Sequence, residues 1–165
     1  MRGLLLLGAA LALSGCGLRP LYGGGASGPV QTVLASVQVA PIEGQSGWLV
    51  SNALRDRLNV GQEGTARYRL EVRLDDQIAG LGVRSDDSVA RERLTLRARY
   101  QLVDLSNGTV VLDATAGSDA GIDVVGSEYA TIAAERTALE RLSGIVADQI
   151  VARVARYAHA APAAQ

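Results

Sequence analysis

RYRLEVRLDDQI, residues 67–78, sets the architecture of this chain, because its apolar and charged side chains alternate. Successive side chains of a β-strand point to opposite faces of a sheet, so the pattern predicts a strand with one buried and one polar face. RERLTLRARYQLV, residues 91–103, repeats the pattern and predicts a second strand of the same kind. The predicted core faces of the two strands carry Tyr68, Leu70, Val72, Leu74, Leu94, Leu96, Ala98, Tyr100 and Leu102.

A third strand follows the second after a tight turn. Ser106-Asn107-Gly108 is a strong signal for a hairpin turn, and residues 109–117 alternate again. Residues 80–88 are rich in glycine, serine and aspartate and predict a mobile hairpin loop between the first two strands. Residues 117–126 are polar and glycine-rich and predict a second loop. The three strands are therefore expected to form an antiparallel meander.

One strand and one helix are predicted before the meander. Residues 33–39 alternate and stop before Pro41, which predicts a strand. Gln45 or Ser46 can cap a helix that runs to about Val60 with apolar residues at helical spacing. Because a helix separates this strand from the next one, the two are expected to be parallel neighbours or not adjacent.

A long helix is predicted after the meander, from Ser127 to about Tyr157. The order of elements is then strand, helix, three strands, helix. This order predicts an α+β fold in which two helices pack on one face of a four-stranded mixed sheet. A single α+β domain is expected over residues 32–157, followed by a disordered tail over residues 158–165.

Residues 1–15 have the organisation of a bacterial lipoprotein signal peptide. A charged start is followed by an apolar run that ends in Leu13-Ser14-Gly15-Cys16. Cleavage between Gly15 and Cys16 would leave a cysteine whose thiol is acylated. An ordinary secretory signal with a chance free thiol is the alternative, and the run is too short for a spanning helix of about 20 residues. Residues 16–31 are predicted to be a lipidated tether.

Composition argues against several classes of function. All 16 basic residues are arginine, and the net charge of −1 argues against nucleic acid as a general partner. The single histidine, His159, lies in the predicted tail, and no cluster of metal ligands or catalytic triad is evident. Removal of residues 1–15 from the 165-residue chain leaves 150 residues, enough for one stable domain. We therefore predict a non-enzymatic protein with no catalytic residue, no metal and no cofactor other than the N-terminal lipid.

The polar faces of the first two meander strands are unusually basic. They carry seven arginines against two acidic residues, a local charge of +5 in a chain that is net negative. Like charges on neighbouring strands destabilise a sheet. Either acidic residues elsewhere neutralise a solvated face, or the face contacts an anionic lipid or a barrel wall through bidentate arginine contacts. The candidate contact residues are Arg67, Arg69, Arg73, Arg91, Arg93, Arg97 and Arg99 on the strands, with Arg84 in the loop.

The segment after the predicted cleavage site resembles a known family. Cys16-Gly17-Leu18 is followed by Arg19, Pro20, Leu21 and Tyr22, a motif typical of the N-terminus of mature LptE, the lipopolysaccharide-assembly lipoproteins. Residues 129–136 and 67–70 also resemble the alphaproteobacterial branch of that family. The resemblance extends over essentially the whole mature chain.

The resemblance implies a fold, a location and partners. Members of the LptE family have two helices packed on a four-stranded sheet. They act as a plug inside the outer-membrane β-barrel LptD, assist its assembly, and have been associated with lipopolysaccharide binding. The expected location is the periplasmic side of the outer membrane, and Gly17 after the lipidated cysteine fits delivery there.

Two other classes of function remain open at this point. The first is a periplasmic lipid-binding or ABC-transport auxiliary lipoprotein that works without a barrel partner. The second is a periplasmic hydrolase, which the sequence disfavours because it offers no candidate general base in the predicted core.

Overall fold

The computed structural model describes residues 28–58, 66–83, 89–124 and 126–160. They form three helices and four strands in an α+β arrangement. The helices are α1 (Pro29–Ala35), α2 (Gly44–Leu58) and α3 (Glu128–Ala160). The strands are β1 (Val37–Val39), β2 (Tyr68–Val83), β3 (Val89–Asp104) and β4 (Thr109–Asp123).

The four strands form one mixed sheet in the order β1-β2-β3-β4. β1 is parallel to β2 and pairs only with its first three residues, Tyr68 to Leu70. The meander β2-β3-β4 is antiparallel, with Arg73 opposite Arg99 and Arg97 opposite Gly117. The predicted α+β fold class and mixed sheet are confirmed, and β1 and β2 are parallel neighbours.

The core lies between one face of the sheet and the helices. α3 packs across β3 and β4 and contacts α2, which lies beside β1 and β2. The even-numbered residues of β3 from Leu94 to Leu102 are all buried against these helices. Burying such aliphatic side chains stabilises the fold by about 1.5–3 kcal/mol each. The sheet therefore has one face covered by helices and one face open to solvent.

The predicted strand over residues 33–39 is wrong for its first half. Residues Pro29–Ala35 form α1, and only Val37–Val39 form a strand. Proline at the start of α1 favours a helix, because its fixed φ suits the first turn and its missing N–H is not needed there. Val30 and Leu34, four residues apart, are both buried in the core. The alternation placed Leu34 on the polar side of a strand, whereas the helix brings Leu34 onto the same buried face as Val30.

The strands extend further than the alternation predicted. β2 continues to Val83, into the segment predicted as a hairpin loop, and β3 begins at Val89, two residues before the predicted start. Residues 84–88 lie outside the described residues. β4 runs to Asp123 through the segment predicted as a glycine-rich loop. Its extension is stabilised by Ala120 and Ile122, which are buried on the helix-covered face.

The last helix is also longer than predicted. α3 has 33 residues, about 50 Å at 1.5 Å per residue, and ends at Ala160 with Ala158 buried. Part of the predicted tail is therefore helical, while residues 161–165 lie outside the described residues. None of the described helices combines the length and apolar character that crossing a membrane requires.

Candidate functional site

The polar face of the sheet is formed by the odd-numbered residues of β2, β3 and β4. Six of the predicted contact arginines lie on it, namely Arg69, Arg73, Arg91, Arg93, Arg97 and Arg99, and Arg67 directly precedes β2. Arg84 lies outside the described residues. The same is true of Gly15, of Cys16 and of the motif residues Arg19, Pro20, Leu21 and Tyr22.

The third meander strand brings carboxylates to this face that the sequence analysis did not include. Asp113, Asp119 and Asp123 lie on β4 and face β3. With these residues the three strands carry six arginines and five acidic residues on the polar face, a net charge of +1. Asp113 already lay within the predicted strand over residues 109–117, whereas Asp119 and Asp123 would have been found only with the correct length of β4.

Ion pairs across the strands offset the repulsion between the arginines. Arg97 Nη2 lies 3.2 Å from both carboxylate oxygens of Asp119. Arg99 donates to Asp113 through Nε at 3.3 Å and Nη2 at 3.0 Å. Arg91 pairs with Asp123 at 3.0 Å.

Two further ion pairs involve β2 or its first flanking residue. Arg69 pairs with Glu71 at 2.8 Å. Arg67 lies 3.8 Å from Asp104 and stacks over the ring of Tyr68, 5.2 Å from its centroid. Exposed ion pairs such as Arg69–Glu71 contribute little to stability, so their arginines can exchange a carboxylate for another anion at little cost.

A shallow depression of about 670 Å³ lies at the centre of the polar face. Arg73, Arg97 and Arg99 line it, with Asp75 and Asp119 at its side. Among the described residues, no carboxylate lies within 4.0 Å of the guanidinium of Arg73, whose cross-strand neighbour is Arg99. This depression is the best candidate on the sheet for an anionic ligand.

Gly117 shapes the depression by leaving space for Arg97. A Cβ at this position would lie 2.6 Å from Arg97 Cδ and 2.9 Å from Arg97 Nη1. The absence of a side chain lets Arg97 cross β4, where Nη1 donates to the carbonyl oxygen of Ser118 at 3.3 Å. The glycine that suggested a loop in the sequence therefore positions an arginine on a strand.

The ion pairs fix the charge state of the β4 carboxylates. Hydrogen bonds from Arg99 and Gln101 hold the pKa of Asp113 below its usual value. Hydrogen bonds from Thr95 and Arg97 do the same for the pKa of Asp119. Both groups are therefore ionised at neutral pH, and the contribution of these pairs to stability is lost as the pH falls below about 4.

A second cluster, on the helix-covered side, brings two carboxylates together. Burial, followed by the nearby negative charge of Glu92, raises the pKa of Glu135 on α3 above its ordinary value of 4.5. Glu92 Oε2 is buried and has no hydrogen-bond partner among the described residues. The pair therefore costs stability whenever both groups are ionised.

We expect Glu135→Gln to stabilise the domain at pH 7.5. Because the pKa of Glu135 is higher in the folded than in the unfolded chain, ionising this group costs folding stability. The cost is fully present above the folded-state pKa and absent below the unfolded-state pKa. Relief of one like-charge contact should raise the melting temperature by about 2 °C. The difference from wild type should vanish near pH 4. Thermal melts across pH measure it, with the exposed Glu140→Gln as the matched control. An equal gain in the control would contradict the assignment.

Catalytic and metal-binding geometry is not evident in the part of the chain that the structure describes. No group of three or more histidine, cysteine, aspartate or glutamate residues is arranged to hold a metal ion there. His159 is exposed in the last turn of α3. The chemistry that the arrangement supports is the binding of anions and polar surfaces.

Comparisons with known proteins agree with this fold. The family model described as LptE, lipopolysaccharide-assembly, matches residues 34–154. A protein from Caulobacter crescentus CB15 described as a lipoprotein superposes with a TM-score of 0.69 at 27% identity, covering 81% of this chain and 100% of that one. No curated protein sequence matches the chain.

Two more distant structures share the fold. The rare lipoprotein B from Shewanella oneidensis has 14% identity and a TM-score of 0.56, over 73% of this chain and 92% of that one. The uncharacterized lipoprotein B from Nitrosomonas europaea also has 14% identity, with a TM-score of 0.57, over 76% of this chain and 89% of that one.

Proposed function

Since the chain belongs to the LptE family of lipopolysaccharide-assembly lipoproteins, we propose that it is the plug and scaffold subunit of an outer-membrane lipopolysaccharide translocon. In this role it is anchored by lipid at Cys16 on the periplasmic side and sits within the β-barrel LptD. There it supports barrel assembly and the insertion of lipopolysaccharide into the outer leaflet.

The family match over residues 34–154 carries this proposal, because it spans the sheet and both large helices. The match also confirms the resemblance inferred from the sequence. The family is non-enzymatic, in agreement with a chain whose polar groups are arranged for binding.

The polar face of the sheet supports contact with an anionic or polar partner. The lumen of a large outer-membrane barrel is polar, so a domain inside it must present polar or charged surfaces rather than an apolar one. The paired arginines and aspartates of β3 and β4 form such a surface. Arginine binds phosphate groups bidentately, and lipopolysaccharide carries phosphate groups that could replace Asp113 and Asp119 as partners.

The length of the N-terminal segment suits a tethered domain. Twelve peptide steps separate Cys16 from Gly28, which can span up to about 40 Å when extended. A lipid at Cys16 would therefore leave the domain free to enter a barrel whose wall begins at the membrane surface.

Affinity purification tests the proposal. The full chain, tagged after Gln165, is isolated from detergent-solubilised outer membranes, and we expect a large β-barrel to be recovered with it. The Cys16→Ala variant should lack acyl chains by mass spectrometry and should leave the membrane fraction. Recovery of no barrel with a functional tagged chain would contradict the plug role, and an inner-membrane location would favour the auxiliary-lipoprotein class.

A further inference from the structure

Most of the outer edge of β2 has no partner strand among the described residues. β1 pairs with Tyr68, Arg69 and Leu70, and the last bond of this ladder runs from the Ala40 N–H to the Leu70 carbonyl oxygen at 2.9 Å. Backbone groups alternate between the two sides of a strand, so every second residue after Leu70 points its N–H and C=O outward. These residues are Val72, Leu74, Asp76, Ile78 and Gly80. The free edge from Val72 to Gly80 is about 26 Å long.

The opposite edge of the sheet, on β4, is covered in its middle by a side chain from α3. The Gly117 N–H of β4 donates to Gln149 Oε1 at 3.0 Å, and Gln149 Nε2 donates to the Gly117 carbonyl oxygen at 3.3 Å. The side-chain amide of Gln149 on α3 thus occupies the middle of that edge as a neighbouring strand would. Exposed strand edges invite pairing with other chains, and proteins usually block them. Within the described residues, β4 has such a block and β2 beyond Leu70 has none.

A cleft runs along the first half of the free edge of β2, from Val72 to Asp76. It has a volume of about 940 Å³ and lies between β2 and the segment from Ala40 to Ser46, which leads into α2. Ile42 and Leu139 contribute apolar side chains to its lining. Ser46 Oγ donates to Asp76 Oδ1 at 2.9 Å and ties the start of α2 to the strand. A strand edge beside a helix end forms a groove that an extended peptide can enter.

The cleft carries a net negative charge. Its charged lining residues are Glu43, Glu71 and Asp76 against Arg73, which leaves −2. A strand added beside β2 would place alternate side chains toward Val72 and Leu74 on the helix side. Its remaining side chains would lie next to Glu71, Arg73 and Asp75 on the polar side, where the net charge is −1. Apolar side chains suit the first set of positions and basic side chains suit the second.

We propose that the β2 edge from Val72 to Gly80 is a strand-addition site for an extended segment of a partner protein with alternating apolar and basic side chains. The site adjoins the depression on the polar face and shares Arg73 with it, but it recognises a peptide backbone rather than lipopolysaccharide. It extends the sheet to a fifth strand, continuing along β2 where β1 stops.

Peptide binding to the full lipidated chain in non-ionic detergent tests this site. The probe is a fluorescent nine-residue peptide of alternating valine and arginine, and fluorescence anisotropy measures its affinity. We expect amide resonances of Val72, Leu74 and Asp76 to shift on binding. N-methylation of alternate amides of the peptide should weaken binding at least tenfold, since it removes the backbone donors without touching the protein. A valine–glutamate peptide should bind at least tenfold more weakly.

A pair of variants separates the backbone from the side chain. Asp76→Pro removes one outward N–H, whereas Asp76→Ala removes the same carboxylate and keeps that N–H. We expect the peptide to bind at least fivefold more weakly to the proline variant and about twofold more weakly to the alanine variant. Melting curves check that both variants fold.

Three results would overturn the proposal. The first is equal binding of the N-methylated peptide. The second is amide shifts confined to the arginines of the polar face. The third is full hydrogen-exchange protection of Val72, Leu74 and Asp76 in the free protein, which would mean that a segment of this chain or a second copy already covers the edge.

Discussion

Replacing Gly47 with alanine is expected to destabilise the domain by about 2–3 kcal/mol. Gly47 is buried in the first turn of α2, where a Cβ would lie 2.6 Å from the carbonyl oxygen of Ile42 and 2.8 Å from its carbonyl carbon. Because these are backbone atoms, no side-chain rotation can relieve the overlap. The chain must move either Ile42 away from α2 or α2 away from the sheet. Chemical denaturation monitored by circular dichroism measures the loss.

Gly144→Ala on α3 is the matched control and should have the opposite sign. Its added Cβ meets only Arg57 Nη2, at 3.6 Å, which is an ordinary contact. Alanine inside a helix restricts the unfolded chain and stabilises by about 0.4–1 kcal/mol where space allows. A Gly47→Ala variant as stable as Gly144→Ala would contradict the close packing of Ile42 on α2. Such a result would also contradict the position of Ile42 as one wall of the cleft beside β2.

The sheet was predictable because burial of one face imposes a period of two on the sequence. The alternation over residues 67–78 and 91–103 placed the five buried even-numbered residues of β3, from Leu94 to Leu102, on the correct face. Val103, at the end of the strand, is buried with the opposite parity. The long helix was predictable for the same reason at a different period. Both patterns lie within single segments of the sequence, so they can be recognised without knowing which elements pack against them.

The missed elements are those whose stability comes from contacts distant in sequence. α1 has only seven residues, and its packing against α3 holds Val30 and Leu34 in the core. The second half of β4 is rich in glycine and polar residues, and its pairing with β3 keeps it extended. Local propensity disfavours glycine in strands, but a full ladder of hydrogen bonds outweighs that preference.

The candidate site was half predictable. Parity alone placed the arginines of β2 and β3 on one face, which the structure reproduces. Their partners depend on register, which is set by the turn between β3 and β4 and includes a shift at Leu102 and Val103. That register places Asp119 beside Arg97 and Asp113 beside Arg99. The charge of +5 inferred from two strands falls to +2 when the three aspartates of β4 are added, and to +1 when Arg67, which precedes β2, is left out.

The arginines around the central depression are expected to carry lipopolysaccharide binding if the proposed function is correct. Changing Arg73, Arg97 and Arg99 together to glutamine should weaken binding at least tenfold. The net charge of the polar face then falls from +1 to −2, and Asp113 and Asp119 are left without their arginine partners and repel phosphate. Surface plasmon resonance on immobilised lipopolysaccharide at several salt concentrations measures the loss. The salt dependence of binding should decrease with the lost contacts.

The same loss of charge on another surface provides the control for this experiment. Arg55 on α2 and Arg136 and Arg141 on α3 are exposed on the helical side, so their triple change to glutamine removes three charges from a different face. We expect binding within twofold of wild type for this variant. The sheet-face variant should still fold, because the ion pairs it loses are exposed and contribute little to stability. Equal losses in the two variants would mean that lipopolysaccharide responds to the net charge of the chain. Unchanged binding in the sheet-face variant would make the polar face a solvated surface, and barrel recovery would then have to depend on other contacts.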